Sequence, residues 1–405
     1  MGEERRLCTA GVRVFVPESL DFSLQAFFES LYWHPHFDLP DRVRRILTAI
    51  EKENEGVFLV AEERARGTEE TWKEVSGVHN EDYVAFLRYV VGEEPFAVET
   101  FATRGAFSKR TLQRVRQRFA DIGRGHVSPT PNDINFAGLF VFDTWTAFST
   151  GATQAALDTV QAALNAADFV ASGLLEGAPT SPLPISYSIC RTPGHHAEAG
   201  VAGGYCYFNN AVLAAQHLLH RGLHHVTVVD FDYHCGNGIL SLVRDGSSAL
   251  SFASIHADPM MGFEVYFAGT EEDSSERVLM LPFDPLIVHQ PEVLHSLLGR
   301  LIAFVEGQQP DALVVCLGVD GLLDDPVGPG GWEASESCVI GRRLRDLHLA
   351  TVVVQEGGYS DRTDECVMNF FHGYLGLEEP SPLSPVSLPP ASVLQAAALG
   401  TAPSS

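Results

Sequence analysis

Positive charge is what this sequence has least of for its size. Against 52 Asp and Glu stand only 27 Lys and Arg, so the 405 residues carry a formal net charge of −25. A field of that sign repels phosphate backbones and draws cations, which argues against direct nucleic-acid binding. Cysteine is scarce and irregular: seven residues, an odd number, with no C-x-x-C pair. Cys190 and Cys316 sit inside apolar strand-like runs, so the expectation is buried thiols in a reducing compartment and no disulfide framework. No uncharged apolar run reaches the roughly 18 residues of a membrane span, and the opening MGEERRLCTAG has no apolar signal core. A soluble cytoplasmic protein, or a nuclear one in a eukaryote, with no membrane partner is therefore expected. Apolar residues at 45% and charged residues at 20% are ordinary globular values. They exclude a disordered, collagen-like or coiled-coil chain.

What is present alternates in period. Four short β-branched runs, ISYSIC (185–190), VTVVDFD (226–232), ALVVCLG (312–318) and ATVVVQE (350–356), stop abruptly at polar or Gly-rich segments and read as buried strands. VRVFVP (12–17) is a further candidate. Helix-like stretches lie at 153–172, 208–221, 290–305 and 335–347. The alternation predicts an α/β fold, a three-layer sandwich with a mainly parallel sheet flanked by helices. Residues 1–379 read as one catalytic domain and the uncharged, Pro/Ser/Ala-rich 380–405 as a tail. The Gly/Pro/Asn-rich 120–136 reads as a long loop of functional type. The basic run from Arg104 to Arg124 reads as a solvated helix face.

All four strong strands end in reactive residues, which is where parallel sheets place their ligands. After 185–190 comes Arg191-Thr192-Pro193-Gly194-His195-His196. After 226–229 come Asp230, Asp232 and His234, which alternate along an extended chain and so share one side. Asp320 follows the third strand, and Glu356-Gly357-Gly358-Tyr359 the fourth. Two carboxylates and an imidazole, Asp232, His234 and Asp320, suit a divalent ion such as Zn²⁺ with one position left for water. His195 and His196, presented by a Pro-Gly turn, suit general acid/base work near neutral pH. Tyr359, after two glycines, has the backbone freedom to bring a phenol to an oxyanion.

These motifs, with Trp33-His34-Pro35, Val78-His79-Asn80, Phe142-Asp143-Thr144, RTPGHHAEAGVAGGYCYFNN (191–210), DFDYHCGNG (230–238), Ser254-Ile255-His256, Gly318-Val319-Asp320 and Asp325-Pro326, resemble the zinc-dependent histone deacetylases and acetylpolyamine amidohydrolases of the arginase-deacetylase fold. The resemblance spans nearly all of the chain before the tail. It implies one catalytic Zn²⁺ on Asp232, His234 and Asp320, paired imidazoles at His195 and His196, and Tyr359 polarising the scissile carbonyl. It makes Asp230 and Asn237 the partners that fix the tautomers of His195 and His196. It further implies a structural K⁺ held by Asp230, Ser254 and the backbone carbonyls of Asp232, His234 and Ile255. Tyr205, Gly204 and Gly357 would border a tunnel sized for an acylated lysine.

Four positions depart from the pattern, among them Thr192, which stands where Pro is common. Cys235 stands where a second His is usual, and on the sequence alone Cys235→His should be tolerated. Asn237, where the nuclear class I enzymes carry Asp, draws the resemblance toward class II and bacterial-type members. Val327 replaces the acidic gatekeeper of one polyamine-selective deacetylase. The expected reaction is removal of an acetyl or related acyl group from a cationic substrate, acetyl-lysine in protein or an acetylpolyamine. Glu93, Glu94 and Glu99 are candidates for an acidic tunnel mouth. A binuclear Mn²⁺ ureohydrolase of the same fold and a non-catalytic acyl-ligand binder are the alternatives.

Overall fold

The computed structural model describes residues 11–17, 40–53, 56–61, 67–91, 97–98, 108–143, 146, 148–175, 183–260, 269–285, 291–328 and 331–377. Trp33 to Pro35, Arg104, Thr144, the three glutamates at 93, 94 and 99 and the tail from 380 lie outside them. One eight-stranded sheet organises the rest: β1 (Val12–Phe15), β2 (Phe58–Val60), β3 (Ile185–Ser188), β4 (Val226–Asp230), β5 (Leu250–Ala257), β6 (Val278–Phe283), β7 (Ala312–Leu317) and β8 (Ala350–Gln355). Their spatial order is β2-β1-β3-β8-β7-β4-β5-β6, and every pairing is parallel. The four runs picked out by their β-branched residues are the central four strands, so their C-terminal ends are neighbours.

The period of two along each strand divides the core into two layers. Along β7, Ala312, Val314 and Cys316 face one layer, while Leu313, Val315 and Leu317 face the other. Helices Lys109–Gly123, Thr150–Leu175 and Asn210–His220 cover the first face. Helices Pro40–Lys52, Pro291–Gln308, Ala334–Arg345 and Thr363–Leu375 cover the second. Both sides being buried, these strands carry continuous apolar runs rather than alternation. Helix Thr150–Leu175 buries a row of alanines against the sheet. Helices Ala334–Arg345 and Thr363–Leu375 meet at backbone contact, where a Cβ on Gly341 would lie 2.0 Å from the carbonyl oxygen of Phe370.

Two expectations change. Residues 120–136 are not one loop: the helix runs to Gly123, an exposed stretch follows, and a 3₁₀ helix spans Pro131–Phe140. Thr130 and Asp133 form a reciprocal cap with Pro131 in the first turn, which starts that helix despite its polar composition. The basic segment is also less solvated than its composition reads. Arg118 grips buried Asp133 through two hydrogen bonds of 2.5 and 2.7 Å, Arg116 pairs with Asp82, and Arg124 pairs with Glu81. Lys109, Arg110 and Arg114 remain exposed, the solvated face that the composition suggests. No helix among the described residues is long and apolar enough to cross a membrane.

Candidate active site

The first layer of the site comes from the turn after β4. Asp230 ends the strand, and its Oδ1 accepts the backbone N–H of Asp232 at 3.0 Å. Asp232 Oδ1 in turn accepts the N–H of His234 at 2.9 Å. These bonds hold the turn so that ligand atoms of Asp232, His234 and, from the end of β7, Asp320 lie within 4.8 Å of one another, all buried. His234 Nδ1 is 3.1 Å from Asp232 Oδ1 and 3.0 Å from Asp320 Oδ2. Burial and the neighbouring Asp232 charge push Asp320 up to about 7. Its Oδ2 accepts no hydrogen bond although it is buried. A buried anionic group of this kind calls for a cation.

The paired imidazoles come from the segment after β3. His195 Nδ1 meets Asp230 Oδ2 at 3.0 Å, and His196 Nδ1 meets Asn237 Oδ1 at 2.7 Å. The two rings stand 3.9 Å apart between centroids, with His234 5.9 Å from His196. Their environments drive them apart in charge. Burial works against a cation at His195, but Asp232 and Asp230 overcome it and raise the ring to about 10. Burial, the charge on His195 and His234 hold His196 well below its ordinary value. The two rings are thus pushed in opposite directions by their surroundings, His195 up and His196 down.

Tyr359 is set by two carboxylates to which the sequence alone assigns no role. Asp325 Oδ2 accepts the N–H groups of Tyr359 and Ser360 at 2.6 and 2.9 Å, and its Oδ1 those of Val327 and Gly328. It ties the loop after β7 to the segment after β8. Glu356 Oε2 accepts the N–H groups of Gly194 and His195 at 2.6 and 3.1 Å, joining the tyrosine segment to the imidazole segment. Arg42 donates to the carbonyl of Glu356 at 2.7 Å and places its guanidinium 5.5 Å from the centre of the Tyr359 ring. Such clamps are invisible in sequence, because each carboxylate is recognised only by backbone donors that topology brings to it.

Gly204 and Gly357 lie against the candidate site residues, each for a steric reason. A Cβ on Gly357 would lie 2.5 Å from Asp320 Oδ2 and 2.6 Å from Asp232 Oδ2, and its N–H donates to the latter at 2.8 Å. Gly204 adopts φ +56°, and a Cβ there would strike the His196 ring at 2.2 Å. Tyr205 follows at φ 66°, its ring 6.1 Å from that of Tyr359. Asp143 and Thr146 anchor this turn by accepting the N–H groups of Gly204 and Tyr205. Ser254 lies opposite Asp230 in the sheet register. His256 has Nε2 on the Gly269 carbonyl and Nδ1 on Ser254, so Ser254 donates to it.

Cys235 is packed inside the site's wall. It is buried, and burial together with Asp230 holds its thiol well above the ordinary range. Gly269 packs directly against it, where a Cβ would lie only 2.2 Å from its Sγ. Neither exposure nor ionisation favours oxidation here.

A three-layer parallel sheet with this constellation at its strand ends is the architecture of a deacetylase-type amidohydrolase. The family model described as histone deacetylase domain matches residues 36–373, and the chain belongs to that family. Acetylpolyamine amidohydrolase 1 of Pseudomonas aeruginosa is 26% identical over 351 residues, covering 84% of this chain and 92% of that protein. Acetylpolyamine amidohydrolase 2 of the same organism is 32% identical over 284 residues, covering 66% and 80%. The crystal structure of an acetylpolyamine aminohydrolase from Burkholderia pseudomallei superposes with a TM-score of 0.66 at 27% identity, covering 84% of this chain and 92% of that one.

His79 shows how the Val78-His79-Asn80 motif serves the site from a distance. Its Nδ1 donates to the Glu198 carbonyl at 3.0 Å, and its Nε2 accepts the Asn209 N–H at 3.1 Å, which only a neutral ring can do. Burial pushes it down to about 4. Between about pH 6.5 and pH 4 the unfolded chain therefore takes a proton that the folded chain refuses, and stability falls as pH falls through that window. At about 1.4 kcal/mol per pKa unit the loss approaches ~3 kcal/mol near pH 4. Denaturant titrations should show the stability advantage of the native protein over His79→Gln shrinking from pH 7.5 to pH 4. A constant difference would remove the assignment.

Proposed function

We propose that the protein hydrolyses acetyl or related acyl amides of cationic amines, acetylpolyamines or acetyl-lysine in a basic context, with one Zn²⁺ per chain held by Asp232, His234 and Asp320. The observation that carries the reading is the convergence of those three buried ligands with His195 and His196. The donor set fits a dication: two carboxylates, one imidazole, no Lys or Arg among them, and a buried carboxylate oxygen that accepts no hydrogen bond. When bound, Zn²⁺ supplies Lewis acidity toward an amide carbonyl and an attacking water.

The remaining work falls to the chain. His196 donates Nδ1–H to Asn237, so Nε2 carries the lone pair that takes a proton from the attacking water. His195, hydrogen-bonded to Asp230, contributes positive charge beside the carbonyl oxygen. Tyr359 donates its phenol hydrogen to that oxygen, an interaction strongest in the transition state. The proton on the imidazole pair then passes to the leaving amine. Asp230, Ser254 and the carbonyls of Asp232, His234 and Ile255 would hold K⁺ beside His195. The substrate class is supported by the acetylpolyamine amidohydrolases among its relatives and by the −25 charge.

Three outcomes test this. Elemental analysis of metal-replete protein should find one tightly held catalytic dication per chain, lost in Asp232→Ala; two catalytic metals would favour the ureohydrolase reading. Tyr359→Phe should keep the metal and KM while kcat falls by roughly 10²-fold or more, the scale for one lost oxyanion donor. If kcat survives and KM rises, Tyr359 is a binding residue. Finally, kcat/KM for an acetylpolyamine should fall as salt shortens the Debye length from about 30 Å at 0.01 M to about 8 Å at 0.15 M. A neutral acetyl-lysine analogue should respond little. Matching salt profiles would mean the acidity plays no part in substrate capture.

A further inference from the structure

The tautomer of His196 depends on Asn237, and Asn237 alone cannot fix it. An amide presents an acceptor on one side and a donor on the other, and a half-turn about its last bond exchanges them. With Oδ1 toward His196, the ring must carry its proton on Nδ1 and leaves Nε2 open to the site. With Nδ2 toward His196, the ring must accept at Nδ1 and carry its proton on Nε2, where it can take none from water. An aspartate at this position could only accept and would face no such choice.

The other end of the amide makes the choice. Asn237 Nδ2 donates to Glu198 Oε1 at 3.3 Å while its Oδ1 receives His196 Nδ1 at 2.7 Å. A carboxylate only accepts, so it admits only the Nδ2 face of the amide. We infer that Glu198 is a positioning residue which, by locking the Asn237 amide, sets His196 in its proton-accepting tautomer. The chain of polarity runs from the Glu198 carboxylate through the Asn237 amide to the His196 ring.

The placement of Glu198 supports this. It lies two residues beyond His196, half-buried, on a short segment that is fixed on both sides. Its carbonyl accepts His79 Nδ1, its N–H donates to the Val201 carbonyl at 3.0 Å, and the Asn80 N–H donates to the carbonyl of Ala199. The carboxylate is therefore delivered to Asn237 by a braced backbone rather than by a flexible loop. On the opposite side, the helix Asn237–Asp245 fixes the Asn237 backbone.

The inference rests on the reading of His196 as the proton acceptor, and its test separates the two. In metal-loaded protein with ¹⁵N-labelled histidine, His196 should give the signature of a ring protonated at Nδ1. Glu198→Gln keeps the size of the side chain but offers a donor as well as an acceptor, so both amide orientations become available. A second His196 population protonated at Nε2 should appear, and kcat should fall about 2- to 10-fold with KM unchanged. A full switch of tautomer would cost more, up to the roughly 10⁴ in kcat seen for a wrong-tautomer histidine in a catalytic triad. The exchanged pair Asn237→Asp with Glu198→Gln restores the polarity, since the amide introduced by Glu198→Gln can donate to an aspartate that accepts from His196. It should recover the single Nδ1 tautomer and most of kcat. An unchanged tautomer in Glu198→Gln, or a fall in kcat without a tautomer change, overturns the inference. Failure of the exchanged pair to recover the tautomer does so as well. Native protein that turns over no acetylated amine would instead overturn the functional reading, while the spectra still decide the role of Glu198.

Discussion

Buried negative charge is the constraint around which this site is built. Asp230, Asp232, Asp320, Asp325 and Glu356 are all buried at the C-terminal ends of the central strands. Left bare, such a group would cost several kcal/mol per ion. The fold meets that cost with backbone N–H groups. Asp230 takes the N–H of Asp232, Asp232 those of His234 and Gly357, Asp320 that of Tyr233, Glu356 those of Gly194 and His195, and Asp325 four from two loops. Because the donors belong to the loops that carry the reactive side chains, neutralising the carboxylates and positioning the site are the same act.

This economy explains why the loops are rich in glycine. A carboxylate that accepts from a backbone N–H sits against the main chain, and a Cβ at Gly318 or Gly357 would overlap Asp232 within 2.3 to 2.6 Å. At Gly204 the same closeness is to His196, and the positive φ adds a conformational reason. The motif glycines thus report approach between loops, which single-sequence reading detects as composition but cannot pair.

Legibility follows the same line. The central strands are readable because burial on both faces leaves uninterrupted β-branched runs, and their abrupt ends locate His195, His196, Asp232, His234, Asp320 and Tyr359. Leu250–Ala257 is visible only as the Ser254-Ile255-His256 motif, because its buried serines and histidine break the apolar run. The 3₁₀ helix Pro131–Phe140 is hidden by a polar start whose meaning depends on the Thr130 and Asp133 cap and on Arg118. Glu198, Asp325 and Glu356 stand inside recognisable motifs, but the sequence does not show what each carboxylate holds. Their partners are 39, 34 and 162 residues away in sequence, distances over which no local pattern extends.

The same network bears on how many metals the site can employ. A second cation bridged to the first would draw its ligands from the residues around His195, His196 and Asn237, and those atoms already have protein partners. His195 Nδ1 is engaged by Asp230, and Asn237 uses its oxygen on His196 and its nitrogen on Glu198. His195, Cys206 and Glu356 also bring donor atoms within 4.8 Å; Cys206 donates to the Gly204 carbonyl and Glu356 holds two backbone N–H groups on Oε2, leaving Oε1 buried without a hydrogen bond. Converting this wall into a metal ligand set would release the clamps that hold the imidazole segment against the tyrosine segment. The imidazole wall, the tyrosine segment and the Asp232, His234 and Asp320 group are thus held against one another by the same backbone contacts that satisfy the buried carboxylates.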